Sequence, residues 1–195
     1  MRRLVVAVVL GALALAGWYG LAGGRDVVDR ARYPLRYDGI VRTHARNYRL
    51  DPALLAAVIA VESRFQPHVR STAGAIGLMQ LLPETAKGIA TRTGGERFKI
   101  SDLDTPELNV RYGAWYLRHL IDRYATHRDA LDLALAAYNA GSANVDAWVA
   151  DAPAGQAVEI PAAFAETRAY VHRVRSYEAV YRRVYARRLG IDRKG

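Results

Sequence analysis

Asp51-Pro52-Ala53-Leu54-Leu55-Ala56-Ala57-Val58-Ile59-Ala60-Val61-Glu62-Ser63 is the stretch whose reading decides the fold. It opens on an N-cap residue followed by the proline favoured at the first helical position, and then runs through apolar residues without a break. On a 3.6-residue wheel Leu54, Val58, Val61 and Glu62 fall on one side, so a carboxyl group lies within the apolar stripe of a helix. The rest of the chain shows no sustained polar/apolar alternation of the kind a half-buried strand produces, and the fold class expected is all-α.

Working outward, residues 35–48 form a helix that stops before Asp51. Downstream, Gln66-Pro67, Ser71-Thr72-Ala73-Gly74 and Ile76-Gly77 are turn signals, so a loop follows Ser63 until Pro83 restarts a helix through Ala90. Val110, Gly113, Ala114, Leu117, Leu120, Ile121 and Tyr124 recur at helical spacing. The segment 129–138 is apolar nearly all round, as a buried helix should be, and Asn139-Ala140-Gly141 supplies its stop. A short helix follows from Ser142 to Val149. A long last helix from Glu166 to Arg187 turns Tyr170, Val171, Val174, Tyr177, Tyr181 and Val184 inward. No repeat of 20–50 residues is present.

The N-terminus, Met1-Arg2-Arg3 and then an apolar run from Leu4 to Leu21, reads as an export segment. Ala14-Leu15-Ala16 offers a small-residue cleavage site. The run also sits at the lower edge of what spans a bilayer, and Trp18 and Tyr19 suit an interface, so an uncleaved anchor is the favoured reading of the two. The expected organisation is a signal peptide or anchor over 1–24, a Gly-, Arg- and Asp-rich tether over 25–32, one domain over 33–188 and a basic tail over 189–195. With no cysteine, neither a lipobox anchor nor a disulfide is available, and stability rests on the core. A net charge of +9 favours anionic partners. Nucleic acid is not expected, because no binding module accompanies the charge; lipid headgroups or acidic envelope polymers fit better, beside the plain reading of a solvated basic face. A monomer is the favoured state.

Glu62 is the leading chemical candidate. A carboxyl on an apolar helix face has its charged form disfavoured, which keeps a general acid protonated near neutral pH. The helix ends there and opens onto a glycine-punctuated loop flanked by Ser71 and Gln80, either of which can bond the carboxyl or a substrate. By position alone the plainer reading, a helix-end carboxylate paired with Arg64, weighs more. His44, His68, His119, His127 and His172 have no ligand spacing, so no metal and no cofactor is expected. Trp115 and Trp148 read as packing residues.

Three ordered blocks then reverse that weighting: Glu62-Ser63-Arg64-Phe65, Ser71-Thr72-Ala73-Gly74-Ala75-Ile76-Gly77-Leu78-Met79-Gln80 and Ala137-Tyr138-Asn139-Ala140-Gly141. Together they closely resemble the signature blocks of the soluble lytic murein transglycosylases, relatives of goose-type lysozyme, over about residues 33 to 185. The resemblance implies a single lysozyme-like helical domain that cleaves peptidoglycan strands in the periplasm or cell envelope, with possible attachment to the inner membrane through the N-terminal segment. It makes Glu62 the catalytic acid/base and places Ser71 and Gln80 along the cleft. Tyr138 would orient the glutamate or substrate, with Asn139 supporting its turn. A fourth block, Glu166-Thr167-Arg168-Ala169-Tyr170-Val171, implies substrate binding by Glu166 and Arg168. Two departures stand out: the connection from Pro161 to Glu166 is longer than relatives show, and Leu82 replaces a cleft-lining methionine.

What the resemblance implies for mechanism is a non-hydrolytic cut between N-acetylmuramic acid and N-acetylglucosamine that closes a 1,6-anhydro ring. The alternatives are a hydrolytic muramidase, with Asp102 or Asp104 as the second acid that ordinary glycosidases require, and a non-catalytic peptidoglycan-binding scaffold.

Overall fold

In the computed structural model, which describes residues 24–153 and 156–191, every regular element is helical apart from isolated bridges. The expected signal or anchor, and Arg193 and Lys194 of the tail, lie outside the described residues. Two units are present, divided between Pro34 and Leu35. In the first, the stretch expected to be an irregular tether is a helix, α1, over 24–32. Its apolar pattern is too sparse to reveal it, but Arg25 to Asp29 and Asp26 to Arg30 are opposite charges one helical turn apart, and no proline interrupts.

The second unit is built on two long neighbours, α3 (Pro52–Ser63) and α8 (Ala165–Leu189). Asp51 caps α3 as expected: its Oδ1 accepts from the backbone N–H of Ala53 at 2.7 Å. Ala53 to Ala60 are all buried, so α3 is covered on every side rather than along one stripe, and only Val61 and Glu62 approach the surface at its end. The helices run antiparallel. Tyr170 meets Glu62 at the C-terminal end of α3, and Arg182 meets Asp51 at its N-terminal end. Tyr170, Val174, Tyr181 and Val184 of α8 are buried at helical spacing, and Tyr181 packs edge-on against Phe65 with ring centroids 6.2 Å apart.

Around this pair stand α2 (Asp38–Asn47), α5 (Pro106–Arg123), α6 (Ala130–Ala140) and α7 (Ser142–Asp151). Helix α2 begins later than its apolar pattern suggests because Tyr37 is left-handed, with φ 55°. The second core cluster joins α4 (Pro83–Arg92) to α5 through Ile76, Leu81, Ile89, Leu103 and Tyr112. Short 3-10 turns at Ile100–Asp104 and Ala162–Phe164 complete the described elements.

Between α3 and α4 the chain makes the loop that the glycines announced. Arg64 and Phe65 are left-handed, with φ 51° and 60°, which ends α3 abruptly after Glu62-Ser63. The Ser63 hydroxyl donates to the Leu78 carbonyl at 2.7 Å and ties the helix end to the far side of the loop. Asn109 of α5, fully buried, holds the loop from the other side. Its Oδ1 accepts from Met79 N–H at 2.8 Å, and its Nδ2 donates to the carbonyls of Ile76 and Leu103 at 2.8 and 2.9 Å. Gly77 sits against this amide with φ 78°; a Cβ there would strike the Asn109 side chain and come within 2.7 Å of the Leu103 carbonyl oxygen. Gly77→Ala is therefore expected to cost about 2–3 kcal/mol, from left-handed strain plus the displaced amide, read as a lowered thermal midpoint.

Candidate active site

Glu62 occupies the last turn of α3, half-buried, with its carboxyl turned toward α8. Tyr170 donates its hydroxyl hydrogen to Glu62 Oε1 at 2.6 Å. Burial is the largest influence on Glu62 and pushes its pKa up from 4.5 to about 7, against the opposing pull of the Tyr170 hydrogen bond and the positive charge of Arg173. The expected pairing with Arg64 does not form: the left-handed backbone at Arg64 leads the chain away, and its side chain is exposed.

Two tyrosines share the electrostatic field of Glu62. Burial first, and then the negative charge of Glu62, raises both Tyr138 and Tyr170 well above the ordinary tyrosine value. Both hydroxyls consequently stay protonated near neutral pH and act as donors, which leaves Glu62 as the group poised to exchange a proton there. Tyr138 donates to the Met79 carbonyl at 2.8 Å, so it braces the loop facing Glu62, and its ring lies 5.5 Å from that of Tyr116. Asn139 Oδ1 accepts from the Thr167 hydroxyl at 2.8 Å, which locks the end of α6 to the start of α8.

The other candidates are distributed differently. Ser71 is exposed, and its Oγ accepts from Ala75 N–H at 3.0 Å, closing a turn. Gln80 uses its amide on the carbonyls of Val69 and Gly77, at 3.1 and 3.0 Å, so in this structure it shapes the loop rather than bonding Glu62. Leu82 is 45% exposed and presents an apolar surface. Glu166 lies exposed one turn before Tyr170 on α8. Arg168 lines a groove of about 740 Å³ with Asp132, Val171, His172, Arg175 and the strap 157–160, a lining that does not include Glu62.

Of the two acids considered for a hydrolytic route, Asp104 is gripped by Arg70 at 2.8 and 3.0 Å, and Asp102 accepts from Lys99 N–H at 2.9 Å. Both are engaged in holding the chain around the 3-10 turn at Ile100–Asp104. Trp115 stacks on His119 and Trp148 packs edge-on against Phe164, the packing roles expected.

Tyr170 is the residue that sequence reasoning placed only as inward-facing. Its position in the fourth block was the available signal. Tyr170→Phe removes a donor that favours the carboxylate, so the pH at which Glu62 loses its proton in the pH–rate profile should rise by about one unit. An unmoved profile would show that the hydroxyl does not govern Glu62.

A carboxyl with a raised pKa, held at the end of a buried helix, beneath a loop and between two protonated tyrosines, is arranged to exchange protons on an all-α scaffold. Comparison with known proteins specifies it. Residues 39–160 match the model of the Transglycosylase SLT domain. A soluble lytic murein transglycosylase of Salmonella typhimurium is 35% identical over 163 residues, covering 77% of this chain and 24% of that protein. A membrane-bound lytic murein transglycosylase C of Actinobacillus pleuropneumoniae is 38% identical over 132 residues, covering 64% of this chain and 34% of that one. The structure of an inactive Glu-to-Gln mutant of the lytic transglycosylase Slt from Pseudomonas aeruginosa superposes with a TM-score of 0.71 at 32% identity, covering 84% of this chain and 26% of that chain. The chain belongs to the SLT transglycosylase domain family. It spans about a quarter of the length of the soluble relatives it matches.

Proposed function

We propose that this chain is a lytic transglycosylase that cleaves the β-1,4 bond between N-acetylmuramic acid and N-acetylglucosamine in peptidoglycan and releases a 1,6-anhydro-N-acetylmuramic acid end. The observation that carries the reading is Glu62, with its pKa raised to about 7 and a protonated hydroxyl on its oxygen. A group titrating there is about half protonated at neutral pH, so it can both give and take a proton. In the first step Glu62 protonates the glycosidic oxygen as its bond to C1 breaks, and the carboxylate left behind is stabilised by the Tyr170 hydroxyl. In the second, that carboxylate removes the proton from the C6 hydroxyl of the same muramic acid while O6 bonds to C1. Glu62 ends protonated, and no water is consumed.

Ser71, Gln80, Tyr138, Asn139, Glu166 and Arg168 are assigned to substrate binding and to the shape of the cleft, with Gln80, Tyr138 and Asn139 acting through the loop and helix ends they brace. The cell envelope is the assigned location, with the N-terminal segment retaining the protein at the inner membrane and glycan strands as its partner. The deciding experiment is mass spectrometry of products released from purified sacculi. The proposal requires fragments lighter by one water than the reducing-end products; reducing ends would establish a muramidase, and intact sacculi a binding module.

A further inference from the structure

Half of the molecule's excess charge gathers where α2 meets the end of α8. Between residues 35–51 and 178–189 there are eight arginines against Asp38, Asp51 and Glu178. The fold brings both segments together: Arg42 Nη1 donates to the Arg188 carbonyl at 2.5 Å, Arg188 bonds Asp38 at 2.9 Å and reaches the Leu35 carbonyl, and Arg182 bonds Asp51 at 2.6 Å. These contacts, with the Arg182–Glu178 pair at 3.0 Å, absorb the three acids into the framework. Arg36, Arg46 and Arg187 remain exposed around them. A face with so strong a local excess of one sign, on helices already fixed by other contacts, draws in a polyanionic surface.

We infer that this basic end of the domain docks on the anionic headgroups of a lipid bilayer. Two observations select lipid. The patch takes in the carbonyl of Leu35, where the second unit begins, only 13 residues after the end of the apolar run at Leu21; with the proposed retention of that run at the inner membrane, on which this inference rests, Leu35 stays within reach of the headgroups. The patch also lies at the opposite end of the α3/α8 pair from Glu62, about 17 Å away along α3 at 1.5 Å per residue, so docking there leaves the catalytic end free for glycan.

The chain has no cysteine, which permits a clean reporter in the full-length protein. A fluorophore on Thr43→Cys, exposed between Arg42 and Arg46, is compared with one on Ala73→Cys in the exposed loop beyond Glu62. The protein is placed in nanodiscs of phosphatidylcholine with or without phosphatidylglycerol, carrying a headgroup spin label as quencher. Docking predicts several-fold stronger quenching at position 43 only where phosphatidylglycerol is present, lost at high salt and lost in the triple variant Arg36→Glu, Arg46→Glu, Arg187→Glu. That variant should still cut soluble glycan fragments, which verifies its fold; the salt series on the unaltered chain decides the matter independently. Equal quenching in both bilayers, quenching that survives charge reversal, or a response at position 43 to sacculi rather than to lipid overturns the inference.

Discussion

Glu62→Gln is expected to reduce release of anhydro products from sacculi by about 10³-fold or more, because in the proposed mechanism one group supplies both the proton donated and the proton removed. The same substitution should make the fold more resistant to heat at alkaline pH. The folded-state pKa of about 7 lies above the ordinary 4.5. Below 4.5 both folded and unfolded chains hold the proton, so Glu62 costs nothing. Between 4.5 and 7 the unfolded chain loses its proton first, and stability falls as pH rises; above 7 the buried charge imposes its full cost, at most about 3 kcal/mol. Neutral glutamine escapes that cost. Thermal melts at pH 8 should therefore favour the variant by several degrees, and melts at pH 4 should coincide within error. An active variant, or one with no pH-dependent difference in melting, would remove Glu62 from its assigned role.

The second large effect belongs to a residue that touches no substrate. Asn109→Ala deletes three hydrogen bonds at a site with no water access and leaves the Met79 N–H and the carbonyls of Ile76 and Leu103 without that partner. Stranded buried backbone groups cost about 1–3 kcal/mol each, and the Ile76 carbonyl keeps its bond from the Leu81 N–H, so a loss of about 3–5 kcal/mol is expected from Met79 N–H, the Leu103 carbonyl and the weakened Ile76 carbonyl together. Activity should fall with it even in folded molecules, because Met79 also receives the Tyr138 hydroxyl that braces the site. Urea unfolding gives the first quantity, and turnover below the transition gives the second. A midpoint near that of the unaltered chain would mean that the loop holds itself.

How legible all this was in the sequence depends on how local each cause is. The boundaries at Asp51-Pro52, Pro83 and Gly141 were legible because caps and prolines act within one turn. Glu62 was conspicuous as a carboxyl in an apolar run, and the ordered blocks turned its reading from an ion-pair member to a candidate acid/base. The helix over 24–32 escaped notice because charge pairs, not apolar periodicity, mark it. Ser71 and Gln80 drew attention as polar residues beside a candidate site, whereas the loop spends their hydrogen bonds on its own backbone. The roles of Tyr170 and Asn109 depend on contacts 108 and 30 residues away in the chain, and no periodicity within a helix reports a partner on another.

That span of 108 residues between Glu62 and its hydroxyl partner also sets an order of events. A chain that emerges N-terminus first presents its acid long before α8 exists to shield and orient it. Contacts so distant in sequence close late in folding, after the local helices have formed. The Glu62 site is thus completed only when nearly the whole domain is made and docked. A fragment truncated before Tyr170 would carry the acid and the whole loop, yet lack the hydroxyl that bonds Glu62. Whatever chemistry Glu62 performs would therefore wait for the last helix to dock, with no separate inhibitor needed.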